Sequence, residues 1–253
     1  MKIFDTHAHL DFPQFQSDRS LILSAMREQG IFAINVGVDL PSSEASLRLS
    51  TENPHIFPAC GIHPHEAKTA SEEVLGRLAE LLREGAVAVG ECGLDFYRNL
   101  SPKEDQVRVF RAQLRLAKSL DLPVILHERA AWPEFIAILR EESPLRGVVH
   151  AFSGDLSKAQ EALGLGFFLG IGGPLTYPKN EGLRQVLRKI PKSRVLLETD
   201  CPYLPPQNFR GQRNDPLKLK YVAQTLATLW GMAVEEVAEI TFQNACKLFR
   251  VQP

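Results

Sequence analysis

The segment KIFDTHAHLD, from Lys2 to Asp11, begins as a short apolar strand and runs directly into two histidines. A doubly wound α/β sheet that binds a nucleotide usually has a glycine-rich G-x-G-x-x-G loop after its first strand. The His-Ala-His sequence at this place disfavours that architecture, which is the main alternative here. His7 and His9 lie two apart on an extended chain, so both side chains are expected to project to the same side, where they can bind one ion.

Seven further apolar or β-branched runs follow, and a polar, helix-patterned stretch separates each from the next. This alternation is typical of buried parallel strands joined by crossover helices. The runs are FAINVGV, IFPACGI, AVAVG, PVILH, GVVHAF, FFLGIGG and RVLLETD, which start at residues 32, 56, 86, 123, 147, 167 and 194. The clearest helix pattern spans Lys103 to Leu120. Eight such repeats in 253 residues predict an α/β fold, a (β/α)8 TIM barrel, with a single domain over residues 1–253.

The composition narrows the class of protein. The net charge of -1 excludes a polycation that binds nucleic acid by bulk charge. The four cysteines include no C-x-x-C pair, which excludes a zinc ribbon and a dense disulfide scaffold and favours a reducing compartment, the cytoplasm. No secretion signal and no run of about 18 apolar residues is visible, so we expect no membrane association. Nothing in the sequence indicates a protein partner.

Six ionisable residues fall at the C-terminal ends of five predicted strands, where barrels build their active sites. They are His7, His9, Glu91, His127, His150 and Asp200. Burying four imidazoles and two carboxylates together without a cation is costly. The set therefore predicts a metal site. Mixed nitrogen and oxygen donors suit Zn²⁺, Mn²⁺, Ni²⁺ or Fe²⁺ better than Mg²⁺ or Ca²⁺, although Mg²⁺ stays open as the activating ion.

Several ordered motifs resemble those of the TatD-type metal-dependent hydrolases, a family of amidohydrolase-like barrels. They are DTHAHLD, GIHPHE, VGECGLDFY, LPVILHERA, VVHAFSG and LETDCPYLPP, followed by NFRGQRNDP and TFQNACKLF, and they span nearly the whole chain. The resemblance implies two divalent ions, one on His7, His9 and Asp200, the other on His127 and His150, with Glu91 bridging. It also implies that His63 faces the substrate. The sequence departs from the usual pattern at Cys201, where a small Ser or Ala is more common.

Residues near the predicted ligands are candidates for supporting roles. Asp5 and Glu198 each lie two positions before a ligand, so strand alternation predicts that they orient an imidazole or a water from below. For Asp5, a buried ion pair with a Lys or Arg is an equal alternative. Arg129 follows His127 by two, on the same side and further out, within reach of an anionic substrate.

The long loop after the eighth predicted strand is a candidate phosphate site, because barrels often bind phosphate there. Asn208, Arg210 and Arg213 are its candidate contacts, and the alternative is a flexible connection. Tyr97 and Tyr203 flank ligand motifs and are placed either to stack a base or to line the cleft wall.

The expected chemistry is hydrolysis by metal-activated water, with Asp200 and Glu91 as the catalytic carboxylates and Asp200 accepting the proton of the nucleophile. The resemblance implies a deoxyribonuclease, a 3'-5' exonuclease whose substrate is single-stranded DNA. The same barrel supports hydrolysis of a small ester, lactone or amide, which is the alternative. A third hypothesis, a metal-holding scaffold, requires a closed coordination shell, and six ligands shared by two ions normally leave room for water.

Overall fold

The structure is a computed structural model that describes residues 1–252. Eight strands form one parallel sheet in sequence order. They are β1 (Ile3–Ala8), β2 (Ile31–Val36), β3 (Ile56–Cys60), β4 (Ala88–Asp95), β5 (Val124–Arg129), β6 (Gly147–Val149), β7 (Phe168–Ile171) and β8 (Val195–Leu197). The predicted (β/α)8 barrel is confirmed, although residue 253, the end of the predicted domain, lies outside the described residues.

The seam between the first and last strands closes the sheet into a barrel. A β-bridge joins Ala8 to Cys201. The amide of Asp200 donates to the carbonyl of His7 at 2.8 Å, and the amide of His9 donates to the carbonyl of Cys201 at 2.9 Å. The seam therefore lies among the predicted metal ligands.

Helices cover the outside of the sheet. Within residues 1–252 they are α1 (Arg19–Gln29), α2 (Leu40–Glu52), α3 (Glu72–Arg83), α4 (Lys103–Leu120), α5 (Trp132–Glu141), α6 (Leu156–Gly164), α7 (Glu181–Lys189), α8 (Leu219–Trp230) and α9 (Val234–Phe249). Local signals set several of these bounds: Gly30 ends α1 in the left-handed region at φ 69°, and the Ser71 hydroxyl accepts from the amide of Val74 to begin α3. None of the helices in this range is long and apolar enough to cross a bilayer.

The lower half of the barrel is filled with apolar side chains. Inward-facing residues such as Phe4, Ile125 and Leu196 form a cluster that α9 completes with Phe242 and other residues. The rings of Phe4 and Phe242 lie 5.9 Å apart, so α9 closes the N-terminal end of the barrel. Polar groups can therefore gather only at the opposite end, where the strands end.

Strands β1 and β4 each contain a register irregularity, which lies just before their polar residues at the mouth of the barrel. In β1 the pairing shifts between Asp5 and Ala8, and in β4 it shifts between Val89 and Cys92. Bulges of this kind bend a strand and re-aim its side chains, and they are common next to active sites. Phe4 faces the barrel interior whereas Ala8 belongs to the outer core, so simple alternation does not continue through β1.

Candidate metal centre

Glu91 lies at the centre of the six predicted ligands, and its two carboxylate oxygens face different groups of donors. Oε2 lies 3.2 Å from Nε2 of His7 and 3.7 Å from Nε2 of His9. Oε1 lies 2.8 Å from Nδ1 of His127 and 2.9 Å from Nε2 of His150. The structure thus brings these five side chains together in two adjoining sets that share one carboxylate.

Asp200 completes the first set. Its Oδ1 lies 3.8 Å from Nε2 of His7 and 3.7 Å from Nε2 of His9. The residue sits just beyond β8 with φ 55°, in the left-handed region that few non-glycine residues adopt. The seam hydrogen bond from its amide to His7 supports that conformation. The backbone at the seam therefore fixes where this carboxylate points.

The spacing and the protonation of the donors fit metal ions. Ligand atoms about 2.1 Å from a tetrahedral ion lie about 3.4 Å from one another, and the distances in the two sets, from 2.8 to 3.8 Å, bracket this value. Nε2 of His7 and Nε2 of His9 face each other at 3.2 Å. Nδ1 of His9 lies 2.8 Å from the carbonyl of Val36, to which it must donate, so in the neutral ring Nε2 of His9 carries a lone pair. A lone pair directed into a buried cluster is what a metal ligand requires.

The electrostatics of the cluster favour bound positive charge. Burial raises the pKa of Glu91, but the imidazoles of His150, His63 and His7 outweigh burial and hold that pKa well below its usual range. Burial lowers the pKa of His150, but the carboxylates of Glu91 and Glu198 outweigh it and raise that pKa well above its usual value. Glu91 is therefore an ionised donor, and an ion that binds His150 must displace a proton.

Glu198 lies behind one of the ligands. Its Oε1 accepts a hydrogen bond from the amide of Ala151 at 2.6 Å and lies 3.6 Å from Nδ1 of His150. Gly170 leaves the room for this carboxylate, because a Cβ there would lie 2.2 Å from Oε2 of Glu198. A carboxylate behind the ring of a ligating histidine orients the ring and raises its basicity.

Asp5 is buried but contacts no imidazole ring. Its Oδ1 accepts from the amides of Thr199 at 2.8 Å and His7 at 3.2 Å, and its Oδ2 accepts from the hydroxyl of Thr199 at 2.5 Å. Burial raises its pKa to about 7, against the lowering effect of these hydrogen bonds. These contacts lie at the seam between β1 and β8, and no Lys or Arg of residues 1–252 pairs with Asp5; its contact with a bound water stays a prediction.

Asp95 is a supporting residue that the sequence reasoning missed. Its Oδ2 lies 3.3 Å from Nε2 of His127 and 2.9 Å from Nε2 of His65. Its Oδ1 accepts from the amides of Tyr97 at 3.1 Å and Arg98 at 2.8 Å. Strand alternation could have predicted it, because Asp95 lies four residues after Glu91 and its side chain therefore lies on the same face of the strand.

His63 faces the centre as a hydrogen-bond donor. Its Nε2 lies 3.6 Å from Oε1 of Glu91, and spacing alone would group it with Glu91 and His127 around an ion. However, its Nδ1 accepts from the amide of His65 at 3.1 Å, so the proton of the neutral ring is on Nε2. His63 therefore offers an N–H to a substrate and no lone pair to a metal ion.

Two arginines at the rim carry guanidinium groups without a carboxylate partner among residues 1–252. Arg129, at the end of β5, stacks on the ring of Tyr97 at 4.1 Å. Arg210, in the loop after β8, stacks on Tyr177 at 4.6 Å, and Asn208 is exposed in the same loop.

Arg213 differs from the other two because its guanidinium is already engaged. It makes two hydrogen bonds to the carboxylate of Asp18, at 2.8 and 2.6 Å, and one to the carbonyl of Gln14 at 2.6 Å. It also covers the ring of Phe15. These contacts anchor the loop after β8 to the start of α1, and the contact of Arg213 with substrate stays a prediction.

Comparisons with known proteins cover nearly the whole chain. A family model described as "TatD related DNase" matches residues 4–250. An uncharacterized metal-dependent hydrolase, YabD, of Bacillus subtilis is 40% identical over 98% of this chain and 99% of its own length. A protein of Pantoea vagans named 3'-5' ssDNA/RNA exonuclease TatD is 39% identical over 98% of this chain and 100% of its own. The crystal structure of YJJV, a TatD homologue from Escherichia coli, superposes with a TM-score of 0.92 at 34% identity, covering 99% of this chain and 98% of that one.

Proposed function

The chain belongs to the TatD-related DNase family and is a metal-dependent hydrolase, and we propose that it removes nucleotides from the 3' end of single-stranded nucleic acid. The observation that carries this proposal is the central position of Glu91, whose two oxygens face separate donor sets. Two-metal sites are typical of enzymes that cleave phosphodiester bonds. The exonuclease name of the relative from Pantoea vagans supports the choice of substrate.

We assign one divalent ion to His7, His9 and Asp200 and a second to His127 and His150, with Glu91 between them. The donor set favours Zn²⁺, Mn²⁺, Ni²⁺ or Fe²⁺, and Mg²⁺ remains an alternative. Two such ions lower the pKa of a water toward about 7 and polarise the phosphoryl group.

Asp200 is the carboxylate best placed to move a proton. Its side chain is 16% exposed and that of Glu91 is 4% exposed, so Asp200 is the one that reaches a water and a substrate at the mouth. In this role Asp200 accepts the proton of the attacking water and returns it to the leaving oxygen. Glu91 stays ionised at the centre, where its two oxygens contact both donor sets.

The remaining site residues bind the substrate in this proposal. His63 donates from Nε2 to a non-bridging phosphate oxygen, since that nitrogen carries the proton. Arg129 has no ion-pair partner in the described part of the chain, so its N–H groups are available for a second oxygen or the next phosphate. Arg210 and Asn208, in the loop after β8, are further candidate donors to the substrate phosphates.

The net charge and the cysteines indicate which form of nucleic acid the protein binds and in which compartment it works. A net charge of -1 suits a mouth that takes one strand end and does not suit sliding along a duplex. All four cysteines are free, which supports a reducing compartment, and we place the protein in the cytoplasm.

The test is an activity screen on metal-reconstituted protein. We expect stepwise loss of mononucleotides from single-stranded DNA or RNA, little cleavage of blunt duplex, and no cleavage when the 3' end is blocked. Asp200→Asn serves as the inactive control and the exposed Glu134→Gln as the matched surface control. Turnover of a small uncharged ester beside no cleavage of any nucleic acid would favour the alternative, a small-molecule hydrolase with the same metal ligands.

A further inference from the structure

Exposed apolar side chains concentrate near the metal centre. Among the described residues, five large hydrophobic side chains are exposed, and Tyr97, Leu100 and Tyr203 are three of them. Tyr97 and Leu100 lie in the loop after β4, and Tyr203 lies in the loop after β8, so all three belong to the rim of the mouth. Isolated exposed hydrophobic residues are ordinary, but a group of them around a site points to a ligand with an apolar face.

Tyr97 is the most exposed of the three, at 68%, and its ring is already paired on one side. The guanidinium of Arg129 lies 4.1 Å from the ring centroid. A planar guanidinium stacked on a ring keeps its N–H groups at its edge, where they can reach a phosphate. The pair therefore presents an aromatic surface next to a cationic one.

The backbone beneath this pair is tied directly to a proposed metal ligand. One buried carboxylate, that of Asp95, accepts from the amides of Tyr97 and Arg98 and also faces Nε2 of His127. The Cα of Tyr97 lies within about 8 Å of the Cα of Asp95, because the two residues are only two positions apart along the chain. On the neighbouring strand, Arg129 is the register partner of Asp95. The pair of Tyr97 and Arg129, which we call the stacking platform, is thus held in a fixed position relative to the proposed metal centre.

We propose that the ring of Tyr97, backed by Arg129, stacks an unpaired nucleobase of the substrate strand beside the cleaved phosphate. This inference rests on the proposed nuclease function and adds the group that recognises the base. Every base has a flat π face, so stacking binds single strands with little sequence preference. A ring that projects into solvent can take a base only after the base has left its helical neighbours, so the platform favours single strands over duplex.

The test combines variants of the protein with abasic substrates. Single-stranded oligonucleotides of equal length carry an abasic residue at the first, second or third position from the 3' end, and kcat/KM is measured on metal-reconstituted protein. The parent should lose about five- to one-hundred-fold at one of these positions. Tyr97→Ala should show the same loss on the intact strand, through a higher KM at unchanged kcat, and should be insensitive to the abasic residue at that position.

Two further variants are controls for the stacking role. Tyr97→Phe keeps the ring and should behave like the parent, and the surface control Glu134→Gln, on the exposed face of α5, should also match it. Binding of the same strands, measured by fluorescence anisotropy in chelator, should show the same pattern without turnover. An equal loss for Tyr97→Ala on intact and abasic strands, or no loss at all, would overturn the stacking role while leaving the nuclease function standing. A parent that cleaves no nucleic acid would overturn both.

Discussion

Replacing Glu91 with glutamine tests the central feature of the site. The amide keeps one oxygen and loses the negative charge, and its NH2 group cannot bind a cation. The set with Asp200 still has two imidazoles, those of His7 and His9, and a carboxylate of its own, whereas the set with His127 and His150 keeps only neutral donors. We therefore expect Glu91→Gln to retain the ion next to Asp200 and to lose the other.

The size of the loss follows from the charges. The attraction between one carboxylate and a divalent ion is about 8 kcal/mol at 4 Å and an effective dielectric constant of 20. If relief of the carboxylate's desolvation offsets half of this, about 4 kcal/mol remains, or roughly a thousand-fold in affinity. Elemental analysis after reconstitution and desalting should fall from two ions per chain to one, with Glu134→Gln unchanged. Two ions retained would refute the shared position of Glu91, and loss of both would show that His7, His9 and Asp200 do not hold an ion without it.

Three other predictions follow from the contacts described above. Asp200→Asn should lower kcat by about 10²- to 10⁴-fold while metal content falls much less, and a loss of all metal would make Asp200 chiefly structural. Asp18→Ala should lower the melting temperature by at most about 4 °C, because it removes one partly exposed ion pair, and Arg213→Ala should lower it further, because Arg213 also bonds the carbonyl of Gln14 and covers Phe15; kcat/KM should stay within about two-fold of the parent for both. A ten-fold loss of kcat/KM would instead place Arg213 on the substrate. In native protein a thiol reagent should label only Cys246, since burial raises the pKa of the Cys60 thiol to about 12 and the other two cysteines are also buried; rapid labelling of more than one thiol would contradict this.

Much of the fold could be predicted because parallel barrel strands are short, apolar and regularly spaced. All eight predicted runs overlap an observed strand, and the predicted helix over Lys103–Leu120 has those bounds in the structure. The start of the eighth helix is harder to place from the sequence. Asp215 caps a short 3-10 turn over Pro216–Lys218, and α8 begins only at Leu219. A proline after a capping residue is equally typical of the start of a 3-10 turn and of the start of an α-helix.

The part of the candidate site that could be predicted is the part that depends only on the strands running in the same direction. Parallel strands end at one rim, so strand-end residues such as His127 and His150 must meet there. Alternation alone does not place a side chain where the register shifts, as it does between Asp5 and Ala8 in β1. The pairing of Arg213 with Asp18 joins residues far apart in sequence, and neither residue carries a local signal for it.

The closure of the barrel has a consequence for how the enzyme is made. The seam joins residues near position 8 to residues near position 200, and the ligands of one proposed ion lie on both sides of it. As the chain leaves the ribosome, His127, His150 and Glu91 are available well before Asp200 has been synthesised. The proposed ion next to Asp200 is therefore the last to find its full set of donors, and once bound it fastens the first strand to the last. A ribosome stalled before β8 would expose a chain that can hold at most one of the two ions.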